Sequence, residues 1–256
     1  MIKELKSYFK NKKSILLVYL VLLFIVLIFF SLSLINKSWN DTGYCLLALT
    51  LFLVPFSIAK IFKIKIPDLL ETIFLLFVFA VTILGGINNF YIIFSVFDKI
   101  LHTVHGFCCC ALGLGLIEMM IKTNISKSIV IFKVFLALCF SMTIGIFWEF
   151  FEFSCDLSFK SDMQKDTFVS TMKSVALDAT KENTVIVLDD IKKVEITYSN
   201  NKKEKLKGYL DIGLIDTIGD LIVNFIGALT FSFLAYFYLN NKHFRFVKKL
   251  LITKLN

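Results

Sequence analysis

Three groups of polar side chains interrupt long apolar stretches of this sequence, and their residue types are those of metal ligands and acid/base catalysts. An ionised side chain at the centre of a membrane-spanning helix costs about 2.5–3.5 kcal/mol even on the lenient insertion scale. A membrane protein that carries several such residues therefore has a structural or chemical use for them. The groups are Asp98, His102 and His105; Glu149 and Glu152; and Asp216, Asp220 and Asn224.

The spacing within each group places its members on one face of a helix. His102 and His105 follow Asp98 at i+4 and i+7, and an α-helix turns by about 100° per residue. Glu149 and Glu152 are separated by one turn, and the members of the third group follow one another at i, i+4 and i+8. Lipid cannot solvate these side chains, so we expect them to face one another or a wet cavity.

Four or five carboxylates and two imidazoles cannot share one pocket while all are charged and unpaired. A divalent cation is the leading hypothesis, because mixed histidine and carboxylate ligands suit Zn, Mn or Fe. Shared protons are the second, since close carboxylates keep one another partly protonated and can form a general acid/base pair. Internal pairing with protonated histidines, which would only fix helix packing, is the third. The metal-ligand candidates are Asp98, His102, Asp216 and Asp220, with His105 and Asn224 as further candidates; the catalytic candidates are Glu149, Glu152 and Asp220.

The composition indicates a membrane protein. Of the 256 residues, 57% are hydrophobic, which is more apolar surface than a soluble domain of this size can bury. Arg245 is the only arginine, so the net charge of +8 does not indicate nucleic-acid recognition, and we expect no nucleic-acid partner. Membrane lipids are the expected surroundings, and the sequence does not identify any protein partner. The six cysteines have no metal-type spacing, and we expect free thiols.

Six apolar runs have the length of a membrane span. The sequence therefore predicts an all-α membrane protein, a six-transmembrane-helix bundle that forms a single membrane domain over residues 1–256. A cleavage site is not evident after the first run, which we interpret as a retained helix. The predicted spans are residues 14–35, 44–62, 69–87, 100–121, 128–153 and 210–239.

The distribution of basic residues predicts the orientation, because short cytoplasmic loops are rich in lysine. With the N-terminus inside, the two short outer loops contain only Lys37 and Lys99. Both termini are thus predicted to be cytoplasmic, and all three polar groups fall near the outer face. The composition is rich in Lys, Asn, Ile and Phe, as is typical of AT-rich bacterial genomes, so we expect a bacterial plasma membrane. The inner segments contain Lys3, Lys6, Lys10, Lys12, Lys13, Lys60, Lys63, Lys65, Lys122, Lys127, Lys133, Lys242, Arg245, Lys248, Lys249 and Lys254.

A polar segment, residues 154–209, separates the fifth and sixth spans, and the six-span topology makes it an extracytoplasmic insert. Thr184–Leu188 and Val194–Tyr198 are β-branched runs joined by Asp189–Lys193, which predicts a β-hairpin or a small sheet. Several lysines near the end of this insert oppose the inside-positive trend, but long segments cross membranes with less regard to charge.

Three classes of function remain open. The first is a membrane enzyme with a metal-dependent or acid/base site, in which Glu149 or Asp220 is the general base and His102 is a metal ligand or acid. The second is a transporter of protons or a divalent cation, although the polar residues stop about halfway through the predicted bilayer. The third is a structural protein whose polar network only locks the packing of its helices.

Four short motifs carry a resemblance to a known family. They are FDKILHTVHG around His102, FWEFFEF around Glu149, MQ ending at Gln164, and DTIGDLIVNFIGAL around Asp220. In this order they resemble the YjdF-like family of bacterial polytopic membrane proteins, a group without an assigned activity; His105 is not part of the pattern. A fainter similarity to VanZ-like membrane proteins, which are associated with glycopeptide tolerance, implies a role in the cell envelope and a lipid-linked or envelope substrate.

Overall fold

Six helical segments dominate the computed structural model, which describes residues 8–9, 12–121, 126–159 and 161–255. Each of the six is long and apolar enough to cross a membrane, which confirms the predicted helical fold. Four lysines used to predict the orientation, Lys3, Lys6, Lys10 and Lys122, lie outside the described residues. The segments are Lys13–Ile35, Trp39–Phe62, Asp68–Ile87, Phe97–Met120, Lys127–Phe159 and Leu214–Asn241.

The second segment is divided into two helices. Helix α1 (Lys13–Ile35) is continuous, whereas a break separates α2 (Trp39–Leu51) from α3 (Val54–Phe62). Pro55 lies in the first turn of α3. The N–H groups of a first turn have no acceptor within the helix, so proline, which lacks an N–H, is tolerated there. The remaining helices are α4 (Asp68–Phe79), continued by a π-helix (Ala80–Ile87), the short α5 (Phe90–Ile93), α6 (Phe97–Met120), α7 (Lys127–Phe159) and α8 (Leu214–Asn241).

The chain divides into two compact units. Unit 1 comprises Met1–Gly145 and Leu221–Asn256, and unit 2 is Ile146–Asp220. Unit 1 contains two clusters of buried apolar side chains, one around Leu75 with contributions from α1, α2 and α4, the other around Phe231 with contributions from α6 and the second half of α8. That residues 1–256 form a single membrane domain stays a prediction.

Glycines allow α6 and the second half of α8 to approach closely within unit 1. A Cβ atom added at Gly106 would lie 2.0 Å from the backbone oxygen of Asn224, and one at Gly227 would lie 2.0 Å from that of Thr103. No methyl group fits at these distances, so alanine at either position would push the helices apart. The crossing brings His105 beside Asn224.

Two segments outside the spans pair with each other in unit 1. Strand β1 (Ile64–Lys65), between the second and third spans, is antiparallel to β8 (Thr253–Lys254) near the end of the chain. The N–H of Leu255 donates to the carbonyl oxygen of Lys63 at 3.0 Å. The sequence assigns both segments to the cytoplasmic side, and their pairing agrees with a shared side; which side that is stays a prediction.

The insert in unit 2 contains short strands, as predicted between the fifth and sixth spans. They form two-stranded antiparallel sheets, in which β2 pairs with β7, β3 with β4, and β5 with β6. A two-stranded sheet of strands with three to five residues has little surface to bury, and such small sheets depend on their turns and neighbours. The strands are β2 (Thr167–Val169), β3 (Met172–Ser174), β4 (Ile186–Leu188), β5 (Val194–Tyr198), β6 (Lys202–Leu206) and β7 (Tyr209–Asp211).

The two β-branched runs form strands, but a hairpin that pairs them with each other is the wrong arrangement. Strand β4 pairs with β3, and β5 pairs with β6. The turn between β5 and β6 contains Asn200 and Asn201, whose φ angles are 58° and 60°. Asparagine tolerates this left-handed conformation better than most residues, so the Asn-Asn pair favours the later hairpin.

Candidate functional site

Asp98 and His102 lie one turn apart on α6 in unit 1, as their spacing predicts. Oδ1 of Asp98 is 3.7 Å from Nε2 of His102, and His102 is only 7% exposed. A separation of 3.7 Å exceeds a hydrogen bond but lets the carboxylate attract positive charge on the ring. His102 is therefore a buried imidazole with an acid beside it, an environment in which histidine serves as a metal ligand or proton carrier.

His105 and Asn224, the less secure candidates, contact each other within unit 1. Nδ1 of His105 is 3.0 Å from Oδ1 of Asn224, and its Nε2 is 3.3 Å from Sγ of Cys109. The side-chain amide of Asn224 donates to Sδ of Met142 at 3.4 Å. Because both ring nitrogens of His105 have protein partners, this arrangement supports a packing role for the pair better than a role in metal binding.

Three acids of unit 2 lie close together; we call Glu149, Asp216 and Asp220 the carboxylate cluster. One carboxylate oxygen of Glu149 lies within 4.8 Å of one of Asp220, and oxygens of Asp216 and Asp220 approach within the same limit. Glu149, on α7, is 4% exposed, and Asp220, on α8, is 1% exposed. Carboxylates at this separation in a poorly solvated setting repel one another, so shared protons or nearby positive charge stabilise them.

Gln164 supports the cluster from the loop that follows α7. Its side-chain amide donates to Oγ1 of Thr217 at 2.7 Å and lies 3.5 Å from Oε2 of Glu149. The backbone N–H of Lys165 donates to Oδ2 of Asp216 at 3.1 Å. These amide donors carry no charge, so they orient the carboxylates without neutralising them.

Asp156 and Gly213 shape this loop, and sequence analysis did not assign either of them a role in the site. The carboxylate of Asp156 accepts the backbone N–H groups of Met163 and Gln164 at 2.7 and 2.8 Å. Gly213 has a φ of +72°, and a Cβ atom there would lie 2.7 Å from Cβ of Gln164. Asp156 follows Glu149 at i+7, so helical spacing alone places the two on one face and would have identified it.

Glu152 accepts a hydrogen bond from a neighbour on the same helix. Nε1 of Trp148 donates to Oε1 of Glu152 at 2.7 Å, and Glu152 is 7% exposed. The spacing of four residues on α7 brings the two side chains together. The contact gives Trp148 a polar partner, which an indole generally acquires when it is partly buried.

A second buried ionic group in unit 1 was not predicted; we call Lys12 and Glu71 the Lys12–Glu71 pair. Nζ of Lys12 lies 2.5 Å from Oε2 of Glu71 and donates to the carbonyl oxygen of Ile66 at 2.9 Å. The hydroxyl groups of Tyr8 and Tyr19 donate to Oε1 of Glu71 at 2.9 and 3.1 Å. Burial, and then the charge of Glu71, raise the pKa of Tyr8, so its hydroxyl keeps the proton that it donates.

Taken residue by residue, the buried polar side chains are of types that hold divalent metals. His102 in unit 1, and Glu149 and Asp220 in unit 2, are all buried and offer nitrogen and carboxylate oxygen ligands. The Lys12–Glu71 pair differs, because it joins a lysine to a carboxylate rather than one carboxylate to another. The carboxylate cluster can therefore act as a cation site, or as a set of carboxyl groups that share protons.

The fold and these side chains define a multi-pass helical membrane protein with buried acid and histidine residues. A family model described as "Predicted membrane protein (DUF2238)" matches residues 15–241. Because the match covers most of the chain, the chain belongs to this family. No curated protein and no solved structure matches it.

Proposed function

We propose that the protein is a bacterial plasma-membrane enzyme whose carboxylate cluster works with a divalent cation on a lipid-linked or cell-envelope substrate. The observation that carries the proposal is the approach of Glu149 and Asp220 to within 4.8 Å in unit 2, with both side chains buried. Buried like charges are costly, and functional sites are where proteins retain them. The envelope substrate follows only from the resemblance to YjdF-like and VanZ-like proteins and from the predicted outward-facing position.

The donor set fits a hard or borderline divalent cation. Glu149, Asp216 and Asp220 supply carboxylate oxygens, which suit Mn and Mg, and the sequence prediction adds Asp98 and His102, which extend the choice to Zn and Fe. A bound cation of this kind polarises a phosphoryl or carbonyl oxygen and acidifies bound water. Manganese accepts both kinds of donor set and is the first ion to test.

The residues of the chain divide the remaining work. Glu149 or Asp220 takes a proton from the attacking group and is thus the general base of the site. His102 acts as metal ligand or as acid, and Glu152 is a further acid/base candidate on the same helix as Glu149. Gln164 orients Glu149 through its amide and is anchored by Thr217, so Gln164 is a positioning residue.

Metal binding by the purified full-length protein tests this proposal. We expect about one Mn²⁺ per chain in the wild type and, in Asp220→Asn, a loss of affinity of about 10- to 100-fold or more, because a ligand is removed. Asp190→Asn is the matched control, since it removes the same charge from a side chain that is 77% exposed. His102→Ala tests whether the histidine of unit 1 contributes to the same ion, as the sequence predicts.

Negligible metal in the wild type would remove the metal version and leave the proton-sharing version. The catalytic claim is tested separately by mass spectrometry of lipid extracts from cells that produce wild-type, Asp220→Asn or Asp190→Asn protein. We expect an envelope lipid precursor to accumulate with Asp220→Asn only. Identical lipid profiles in all three strains would contradict an enzymatic role.

Transport of protons or a divalent cation is the second candidate function. The observation that favours it is the presence of buried ionisable side chains in both units, His102 in unit 1 and Glu149 and Asp220 in unit 2, because such residues in spanning helices often mark proton or ion pathways. Proteoliposomes measure it directly: flux of protons or Mn²⁺ that is abolished by Asp220→Asn and kept by Asp190→Asn would establish transport. Absence of flux, together with loss of stability but no phenotype in the variants, would instead favour a structural network.

A further inference from the structure

A cavity of about 860 Å³ opens in unit 1 where several helices begin or end. Its wall includes the first residues of α4, the last turn of α6 and the last turns of α8, together with the chain that follows α8. The ends of spanning helices lie at the depth of lipid headgroups, because the hydrocarbon core covers only about 30 Å. We therefore expect the cavity to face the headgroup layer of one leaflet.

The lining of this cavity is positively charged. Of its two acids, Glu118 binds Lys133 at 2.7 Å, and Asp68 lies 3.7 Å from Lys12, which also pairs with Glu71. Four lysines of the lining outnumber these two acids, and among the described residues none of the four forms an ion pair. They are Lys65, Lys242, Lys248 and Lys249.

Apolar side chains complete the wall. Leu69, which is 38% exposed, and the half-buried Met119 lie beside the lysines, and the buried side chains of Leu239 and Ile252 pack behind them. A ligand that suits this lining carries negative charge at one end and hydrocarbon at the other. A volume of about 860 Å³ falls within the usual range for small-molecule sites and exceeds the needs of a phosphate ion alone.

We infer that this cavity binds the headgroup of an anionic phospholipid, with its phosphodiester among the four lysines and its acyl chains along the apolar wall. Lysine is a compact point charge that attracts phosphate without the fixed geometry of arginine, and basic pockets between spanning helices accept lipid headgroups. The phosphate chemistry is shared with soluble phosphates, but the depth of the cavity and its apolar wall favour the lipid. This inference is independent of the enzymatic proposal.

Binding of phosphatidylglycerol with a fluorescent acyl chain, added to the full-length protein in neutral detergent, tests the inference. Each lysine at a membrane surface contributes about fivefold to anionic-lipid binding, so we expect Lys248→Gln/Lys249→Gln to bind about 30-fold more weakly than wild type. Lys192→Gln/Lys193→Gln is the matched control, because it removes two adjacent exposed lysines from the insert. Fluorescent phosphatidylcholine, which has no net charge, is expected to bind weakly to all three proteins.

Glycerol 3-phosphate, added as a competitor, distinguishes a soluble ligand from a lipid. Supporting results are loss of binding in Lys248→Gln/Lys249→Gln alone and failure of glycerol 3-phosphate to displace the lipid at a large excess. Displacement at equal concentration would overturn the assignment to lipid, and wild-type affinity in the variant would overturn the site. Should that variant be unstable in a thermal unfolding assay, Lys65→Gln/Lys242→Gln removes the other two lysines and decides the question in the same way.

Discussion

The Lys12–Glu71 pair and the carboxylate cluster are both buried and ionisable, yet they differ in charge balance. In the pair, Lys12 meets Glu71 directly, and the carboxylate also accepts hydrogen bonds from Tyr8 and Tyr19. In the cluster, Glu149, Asp216 and Asp220 bring like charges together, and the amides around them are neutral donors. The first group joins opposite charges, whereas the second brings carboxylates of like charge close together.

This difference separates a structural polar group from a candidate site more clearly than burial does. Glu71 is 0% exposed and Asp220 is 1% exposed, so burial alone would rank the two equally. Breaking a balanced pair leaves an uncompensated charge and destabilises the fold. Removing one carboxylate charge from a group of like charges relieves their repulsion, so it costs little stability, but it weakens cation binding. Stability and ligand binding should therefore respond in opposite ways in the two regions.

The largest expected effect is on the balanced pair. Lys12→Met leaves the charge of Glu71 buried without its ion-pair partner, so we expect the free energy of unfolding to fall by about 3–5 kcal/mol. Lys12→Met/Glu71→Leu should lose less than the single variant, because the uncompensated charge is also removed. Reversible unfolding in detergent mixtures measures both. A single variant within about 1 kcal/mol of wild type would contradict the distinction drawn between the two regions.

Metal should stabilise the protein through the carboxylate cluster. At a Mn²⁺ concentration about 100 times the dissociation constant, the wild type should gain about 2.7 kcal/mol, and chelation should remove that gain. Asp220→Asn, which binds about 10- to 100-fold more weakly, should gain only about 0.4–1.4 kcal/mol at the same concentration. Without metal, it should unfold within about 1 kcal/mol of wild type. Thermal unfolding with Mn²⁺ and with chelator measures this, and equal responses from the two proteins would count against a cation at the cluster.

Gly213→Ala should disturb the support of the cluster. A residue with a Cβ atom in the left-handed conformation costs about 1–2 kcal/mol, and the contact with Gln164 adds to this. We expect a loss of about 2–3 kcal/mol in stability, with weaker Mn²⁺ binding because Gln164 is displaced. Gly43→Ala is the control, since a Cβ atom there meets nothing within 4 Å and alanine favours a helix. Equal behaviour of the two variants would remove the positioning role of this loop.

The smallest effect concerns two exposed acids of the insert and depends on pH. Burial raises the pKa of Asp166, and the nearby Asp162 and Asp211 raise it further. The stability that such an acid contributes is present below its ordinary pKa and is lost as pH rises through the raised value. Asp166→Asn should therefore raise the melting temperature slightly near pH 7 and leave it unchanged near about pH 3.

Asp178→Asn should change the melting temperature near pH 7 in the direction opposite to Asp166→Asn. The hydroxyl of Thr180 and nearby backbone amides donate to Asp178 and lower its pKa. Its contribution to stability is thus present above the ordinary pKa and lost as pH falls through the lowered value. The substitution should lower the melting temperature near pH 7 only. The same sign in both variants would mean that the two local environments do not govern these acids.

The sequence predicts the spans and the local geometry of the polar residues well, because both follow from helical periodicity. Asp98 and His102 lie one turn apart, and Asp216 and Asp220 approach each other as i, i+4 neighbours should. These are properties of single helices. Apolar runs of spanning length leave the chain few alternatives, since backbone groups in lipid must satisfy each other.

Contacts between distant parts of the chain were beyond reach from a single sequence. Lys12 and Glu71 are 59 residues apart, and lysine near a predicted cytoplasmic end is ordinarily explained by orientation alone. The pairing of β5 with β6 does not follow from the hydrophobic pattern, because β6 is rich in lysine. It follows from the turn at Asn200–Asn201. That Asp98 and His102 serve the same ion as the acids of unit 2 stays a prediction.

Strand β8 has a consequence for how the molecule folds during synthesis. Its partner, β1, is synthesised almost two hundred residues earlier and stays without this pairing until β8 has also been made. Pairing of these two strands is therefore a late step in the folding of unit 1, and a substitution that blocks it should leave the spanning helices in place.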